Sequence, residues 1–392
     1  MQLFNLLASG AWKTIWGVFL AIIILLAMIT IHEFGHYIAG KILRFKINEF
    51  AVGFGPALFK KRSKKTGVLF SVRIIPLGGF CAFDGEDDLG EKEEKPFEEY
   101  QKEEQAKDSE YPEPQGAKFT DQKPWKRIIV LVAGATMNYL LALFLILVMF
   151  ISVGQPAYKV QVEYPPTEQN PESVSRLVTT DNPLKTGDIL LEIDGHNLYM
   201  VSDYMDALDG KKKGDKVILT VYRDGEEIQV NLIMASDCNV QSLSDTGSVL
   251  SGMGIYGLYN APLKRGFFDT VGGTFAYSGR LAGTILRSLG ELITGKAGLE
   301  SVGGPVTTIA QTSQIASSSW QNFLLIASLI GVNLAVFNLL PIPALDGSKI
   351  VFCIIEWIRK KPVNRKVETI IHLVGIVFLF GFTILIDLLH LF

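Results

Sequence analysis

His32-Glu33-Phe34-Gly35-His36 is the stretch of this chain whose residue types and spacing point to a reaction. On a helix, residues four apart lie about 40° apart around the axis, so both imidazoles face one way. Two neutral imidazoles suit Zn²⁺, and a third protein ligand leaves the fourth position open to water. Glu33 lies on an adjacent sector, where its carboxylate can take a proton from that water. The plainer reading is a pair of solvated or core histidines on a helix. It weakens because the motif ends an apolar run, 15–31, where two His and a Glu are costly without a task.

The rest of the chain has to position that motif. Its 392 residues are 48% hydrophobic, and the mean hydropathy of +0.27 leans towards a membrane protein. The formal net charge of −3 gives no reason to expect a nucleic-acid partner. Cys81, Cys238 and Cys353 are scattered, which argues against a disulfide framework or a C-x-x-C metal site. The N-terminal stretch lacks the basic region and small-residue cleavage site of a signal peptide, so it reads as a retained span.

Four transmembrane helices are expected. The first occupies 16–39 within a segment 1–47, with Trp12 and Trp16 as interfacial anchors. Lys41, Arg44 and Lys46 place its end in the cytoplasm by the positive-inside rule. From Trp16 to His32 it climbs roughly 24 Å of a ~30 Å hydrocarbon layer. The second span covers 128–153 and carries Gly134 and Ala135 as a small-residue face, with Asn138 as glue between helices. The third lies within 320–347 and descends to the cytoplasm, where Arg359, Lys360, Lys361, Arg365 and Lys366 follow it. The fourth, within 369–392, returns outwards. Both termini are then extracytoplasmic, and the site lies near the cytoplasmic side.

Between the spans, 48–83 alternates apolar and polar residues and reads as a β-hairpin that dips into the membrane beside the site. An ordinary cytoplasmic hairpin is the alternative. An extended strand there can pair with an unwound substrate. Residues 84–127 form a charged cytoplasmic segment of helix and loop. Residues 157–235 carry strand runs and the turn signals Asp194-Gly195 and Asp224-Gly225, with a short helix at 202–208. Their order matches an extracytoplasmic PDZ-like α+β domain, with 182–195 as its fingerprint. Residues 260–319 form an extracytoplasmic amphipathic region whose 267–293 stretch is helical by its three- and four-residue apolar spacing. Gly303-Gly304-Pro305 closes it.

This topology brings a third ligand to the motif. The first and third spans both descend, and Asp346 is the carboxylate near the inner end of the third, so it can complete a His₂-carboxylate set. Pro341 and Pro343 break the helix there and free polar backbone, to which Asn338 can add hydrogen bonds for a substrate strand. The plainer readings are a helix-ending Pro-x-Pro turn and Asp346 as an N-cap of a helix over 348–358.

The chain resembles the site-2 protease family, specifically its bacterial sigma-factor-regulating zinc metalloproteases with one PDZ domain. His32-Glu33-Phe34-Gly35-His36 matches the zinc motif of that family. Asn338-Leu339-Leu340-Pro341-Ile342-Pro343-Ala344-Leu345-Asp346-Gly347 matches its N-x-x-P-x-P-x-L-D-G motif. Gly53-Phe54-Gly55-Pro56 and Pro76-Leu77-Gly78-Gly79-Phe80 match its re-entrant β segment. The resemblance implies a polytopic α-helical membrane protein holding one Zn²⁺ per chain on His32, His36 and Asp346, with Glu33 as general base. It implies that Asn338, Pro341, Pro343, Gly78 and Gly79 hold the substrate. Similar enzymes cut single-span membrane proteins such as anti-sigma factors and remnant signal peptides, often after an upstream site-1 protease. Their PDZ domain takes peptide ends or acts as a gate. One departure is Ala133-Gly134-Ala135-Thr136-Met137-Asn138, where the family commonly has A-G-P-x-x-N. Two competing classes remain. An ion transporter would need no Glu33 base, and a silent scaffold would tolerate loss of the ligands.

Overall fold

The computed structural model describes residues 2–86, 111–164, 174–175, 183–240, 245–299 and 302–389. In chain order the elements begin α1 (Gln2–Ile42), β1 (Ile47–Arg62), β2 (Leu69–Phe83) and α2 (Pro124–Ser152). Then follow β3 (Tyr158–Gln161), β4 (Glu163–Tyr164), β5 (Val174–Ser175), β6 (Ile189–Ile193), β7 (His196–Asn197), α3 (Val201–Leu208), β8 (Lys216–Arg223) and β9 (Glu226–Ile233). The chain ends with α4 (Thr246–Met253), β10 (Gly257–Asn260), α5 (Phe267–Ile293), α6 (Pro305–Ala316), α7 (Trp320–Leu339), α8 (Asp346–Arg359) and α9 (Arg365–Leu389). They form two compact units, residues 1–145 with 300–392, and residues 146–299.

Among the described residues, four helices are long and apolar enough to cross a membrane: Thr14–Ile42 within α1, then α2, α7 and α9. Small residues let them approach. Gly331 of α7 sits so close to α2 that an added Cβ would lie 3.0 Å from the Ala142 side chain. Arg127, buried at the start of α2, pairs with Glu356 of α8 at 2.5 Å and so joins the base of the bundle. Most of the charged segment expected over 84–127 lies outside the described residues, which resume at 111.

β1 and β2 form more than one hairpin. Residues 59–62 pair with 69–72 next to the basic turn, while 47–52 pair with 79–83. The same inner run also lies alongside β2 in step, from Glu49 with Leu69 to Val52 with Val72. The chain therefore doubles back within both strands, at 53–55 and 75–79. Gly53 (φ +89°) and Gly78 (φ +105°) make these corners possible, because residues with a Cβ rarely adopt such angles. Alternating periodicity gives no sign of a strand folding on itself, and so the segment reads as one hairpin where the register shows four runs.

The second unit holds a sheet in the order β10-β3-β6-β8-β9, with β7 on β6. Leu190, Ile193, Tyr204, Met205, Leu208, Leu219 and Val230 fill its core. Asp188, buried, receives two 2.6 Å bonds from Arg223. The last turns of α2 belong to this unit. Phe150 there meets Tyr277 of α5 ring to ring at 5.5 Å, and Arg287 of α5 pairs with Asp206 of α3.

Candidate metal centre and active site

His32 and His36 lie on successive turns of α1, buried, with their Nε2 atoms 3.1 Å apart. Asp346 Oδ2 is 3.0 Å from the first and 3.3 Å from the second. Whether these atoms suit a cation depends on where the imidazole protons sit. His36 Nδ1 lies 2.8 Å from the Val130 carbonyl, which can only accept, so Nδ1 carries the proton and Nε2 presents its lone pair. Asn138 Nδ2 lies 3.5 Å from His32 Nδ1, while Asn138 Oδ1 is buried with no hydrogen-bond partner. Exchanging the amide oxygen and nitrogen, which shape does not distinguish, lets Oδ1 accept from His32 Nδ1–H. His32 Nε2 then also offers a lone pair. Two neutral imidazoles and a carboxylate converging on one point fit zinc with an open position.

Bare backbone makes this convergence possible. A Cβ on Gly134 would press on the His36 ring and come within 2.8 Å of His32 Cε1. A Cβ on Gly35, inside the H-E-x-x-H motif, would come within 2.8 Å of the Ala133 carbonyl carbon. α1 and α2 therefore touch where the metal donors lie, and α2 runs unbroken through Ala135.

Asp346 is the first residue of α8, with Leu345 at the N-cap. Its carboxylate turns to the histidines and makes no cap, so the capping alternative does not describe it. His32, His36 and Asp346 are grouped with ligand atoms within 4.8 Å of one another.

A cavity of about 240 Å³ opens beside the three, walled by Glu33, Gly78, Gly79, Asn138 and Asn338 together with Ile29 and Leu334 of the spans. A Cβ on Gly79 would lie 3.3 Å from Glu33 Cγ, so β2 passes directly over the carboxylate. Pro341 and Pro343 are not in this wall; Pro343 packs against Gly375 of α9. The role of Asn138 against His32 is not legible from its position within an apolar run, where helix packing is the ordinary use of an Asn.

A buried His₂-carboxylate set, a glutamate on the same cavity and four apolar helices define a membrane-embedded zinc metalloprotease. The chain belongs to peptidase family M50, whose model matches residues 20–382. It is 29% identical over 368 residues to a protein of Clostridium perfringens, covering 92% of this chain and 94% of that one. It is 25% identical over 424 residues to the zinc metalloprotease RasP of Bacillus licheniformis, covering 91% and 94%. With the regulator of sigma-W protease RasP of Bacillus subtilis it shares 27% over 423 residues, covering 91% and 94%.

Proposed function

We propose that this protein is an intramembrane endopeptidase of the site-2 type that cuts single-span membrane proteins. The observation that carries the reading is the shared cavity: metal donors, Glu33 and the glycine edge of β2 meet between span residues Ile29 and Leu334. His32, His36 and Asp346 would hold the zinc, which would supply Lewis acidity to a water and to the scissile carbonyl. Glu33 takes the proton from that water and passes it to the leaving amide nitrogen. A helical substrate hides its peptide bonds, so it must unwind first. The run at Gly78 and Gly79 holds it extended, and Asn338 adds side-chain hydrogen bonds.

The β1–β2 sheet enters the membrane at its double-glycine end. Two features support this: Gly79 lies over Ile29 and Glu33 of the first span, and Phe54, Ile74 and Ile75 near the same corners are exposed. The second unit is a PDZ-like module outside the membrane, and the end strand β10 of its sheet offers an edge for an added peptide end. It binds or gates substrates already trimmed by an upstream site-1 protease. The regulator of sigma-W protease among the relatives supports anti-sigma factors as one substrate class, and the family resemblance suggests remnant signal peptides as another.

Glu33→Gln is the test. The variant is expected to keep its zinc and lose cleavage, so that membrane stubs accumulate relative to wild type when membrane fractions are compared by mass spectrometry. Full cleavage by a zinc-loaded Glu33→Gln protein would sink the assignment.

A further inference from the structure

Residues 340–345 join α7 to α8 and deliver Asp346, and their backbone donors can be accounted for one by one. Pro341 and Pro343 have no N–H. Leu340 N–H bonds to the Phe337 carbonyl at 3.0 Å, Ile342 to Leu340 at 2.7 Å, and Leu345 to Ile342 at 3.1 Å. Ala344 N–H leaves the loop and bonds to Nδ1 of His372 on α9 at 3.2 Å. Ala344 is also the strained residue of the loop, with φ +79°, a conformation that a side chain with a Cβ rarely adopts. One turn along α9, a Cβ on Gly375 would come within 2.8 Å of the Pro343 carbonyl carbon. α9 therefore presents a socket made of one ring acceptor and one bare backbone position. Pro343 and Ala344 are seated in it.

We infer that His372 is a positioning residue for the third metal ligand: its Nδ1 pins Ala344 in the left-handed conformation that aims Asp346, two residues on, at His32 and His36. His372 is absent from the cavity wall, which includes Ala344, so it acts through the loop and not on substrate. The bond needs a lone pair on Nδ1. Without that acceptor the Ala344 N–H loses its partner, Ala344 is free to relax to negative φ, and the carboxylate turns away from the histidines.

The inference rests on Asp346 being a zinc ligand, so the experiment separates the two. Zinc affinity of the purified full-length protein is measured by competition with a chromogenic chelator. His372→Leu is expected to weaken binding by about 10-fold or more, as loss of outer-shell support commonly does. His372→Asn places an amide oxygen where Nδ1 lies and is expected to stay within about threefold of wild type. His372→Gln, with its oxygen one bond farther out, is expected to resemble His372→Leu. Wild-type affinity in His372→Leu, with Asp346→Ala metal-deficient, overturns the inference alone. Wild-type affinity in Asp346→Ala removes the ligand assignment and the inference with it. If His372→Leu does not fold, the remaining pair decides: binding by His372→Gln as tight as by His372→Asn overturns the role of Nδ1.

Discussion

Gly134 has no functional group, yet it sets how closely α2 approaches the metal donors. A methyl there must displace the His36 ring or the helix itself, because the nearest neighbours on both sides are imidazole atoms. Gly134→Ala is expected to lower zinc affinity by at least about 10-fold, measured by chelator competition. Gly272→Ala in α5, where a Cβ meets nothing within 4 Å, is the matched control and should leave binding unchanged. The same reasoning applies to Asn138. If its oxygen accepts from His32 Nδ1–H, Asn138→Asp keeps an acceptor and Asn138→Leu does not. The Leu variant is then expected to bind zinc about 10-fold more weakly, with the Asp variant closer to wild type. Equal losses in both would mean that the amide supplies packing and no orientation.

Among the elements, α6 shows where reading periodicity stops. Gly303-Gly304-Pro305 reads as the end of a region, and Thr307, Thr308, Gln311, Thr312 and Ser313 give no apolar stripe to announce a helix. The helix begins there because Pro305 suits its first turn and because a cap arrives from α9, far along the chain. Asp387 accepts from Val306 N at 2.9 Å and Thr307 N at 3.1 Å. Asp387→Ala should cost about 1 kcal/mol, the usual loss on removing an N-cap acceptor, read as a lower thermal midpoint. By contrast, α5 is legible over 267–293 because its own three- and four-residue spacing carries the signal. In the second unit the largest single-residue effect is expected at Arg223. Arg223→Leu strips the guanidinium from the buried Asp188 carboxylate and should cost about 3–5 kcal/mol, measured by thermal or denaturant unfolding of the full chain.

For the whole molecule, the parts of the site that can be read from sequence are those fixed by local geometry or by counting spans. The histidine pair needs only one turn of helix. Asp346 follows from two descending spans ending at similar depth. Gly134 and Asn138 read from sequence only as helix-packing residues, and His372 not at all, because apolar runs do not reveal which faces meet and so not which of these residues reach the metal donors or the loop before Asp346. The proposed topology predicts that the loop after α8 is reached from the cytoplasmic side and the sheet of the second unit from the outer side. Cys81, Cys238 and Cys353 are all buried, so an introduced surface cysteine can report without removing them. Lys361 and Lys212 are exposed. In sealed membrane vesicles treated with a membrane-impermeant maleimide, Lys361→Cys should label only when the cytoplasmic face is outward. Lys212→Cys should label only in the opposite orientation. The reverse pattern would invert the bundle and put the metal centre near the outer face, and a substrate first trimmed outside could not then reach it from the side proposed.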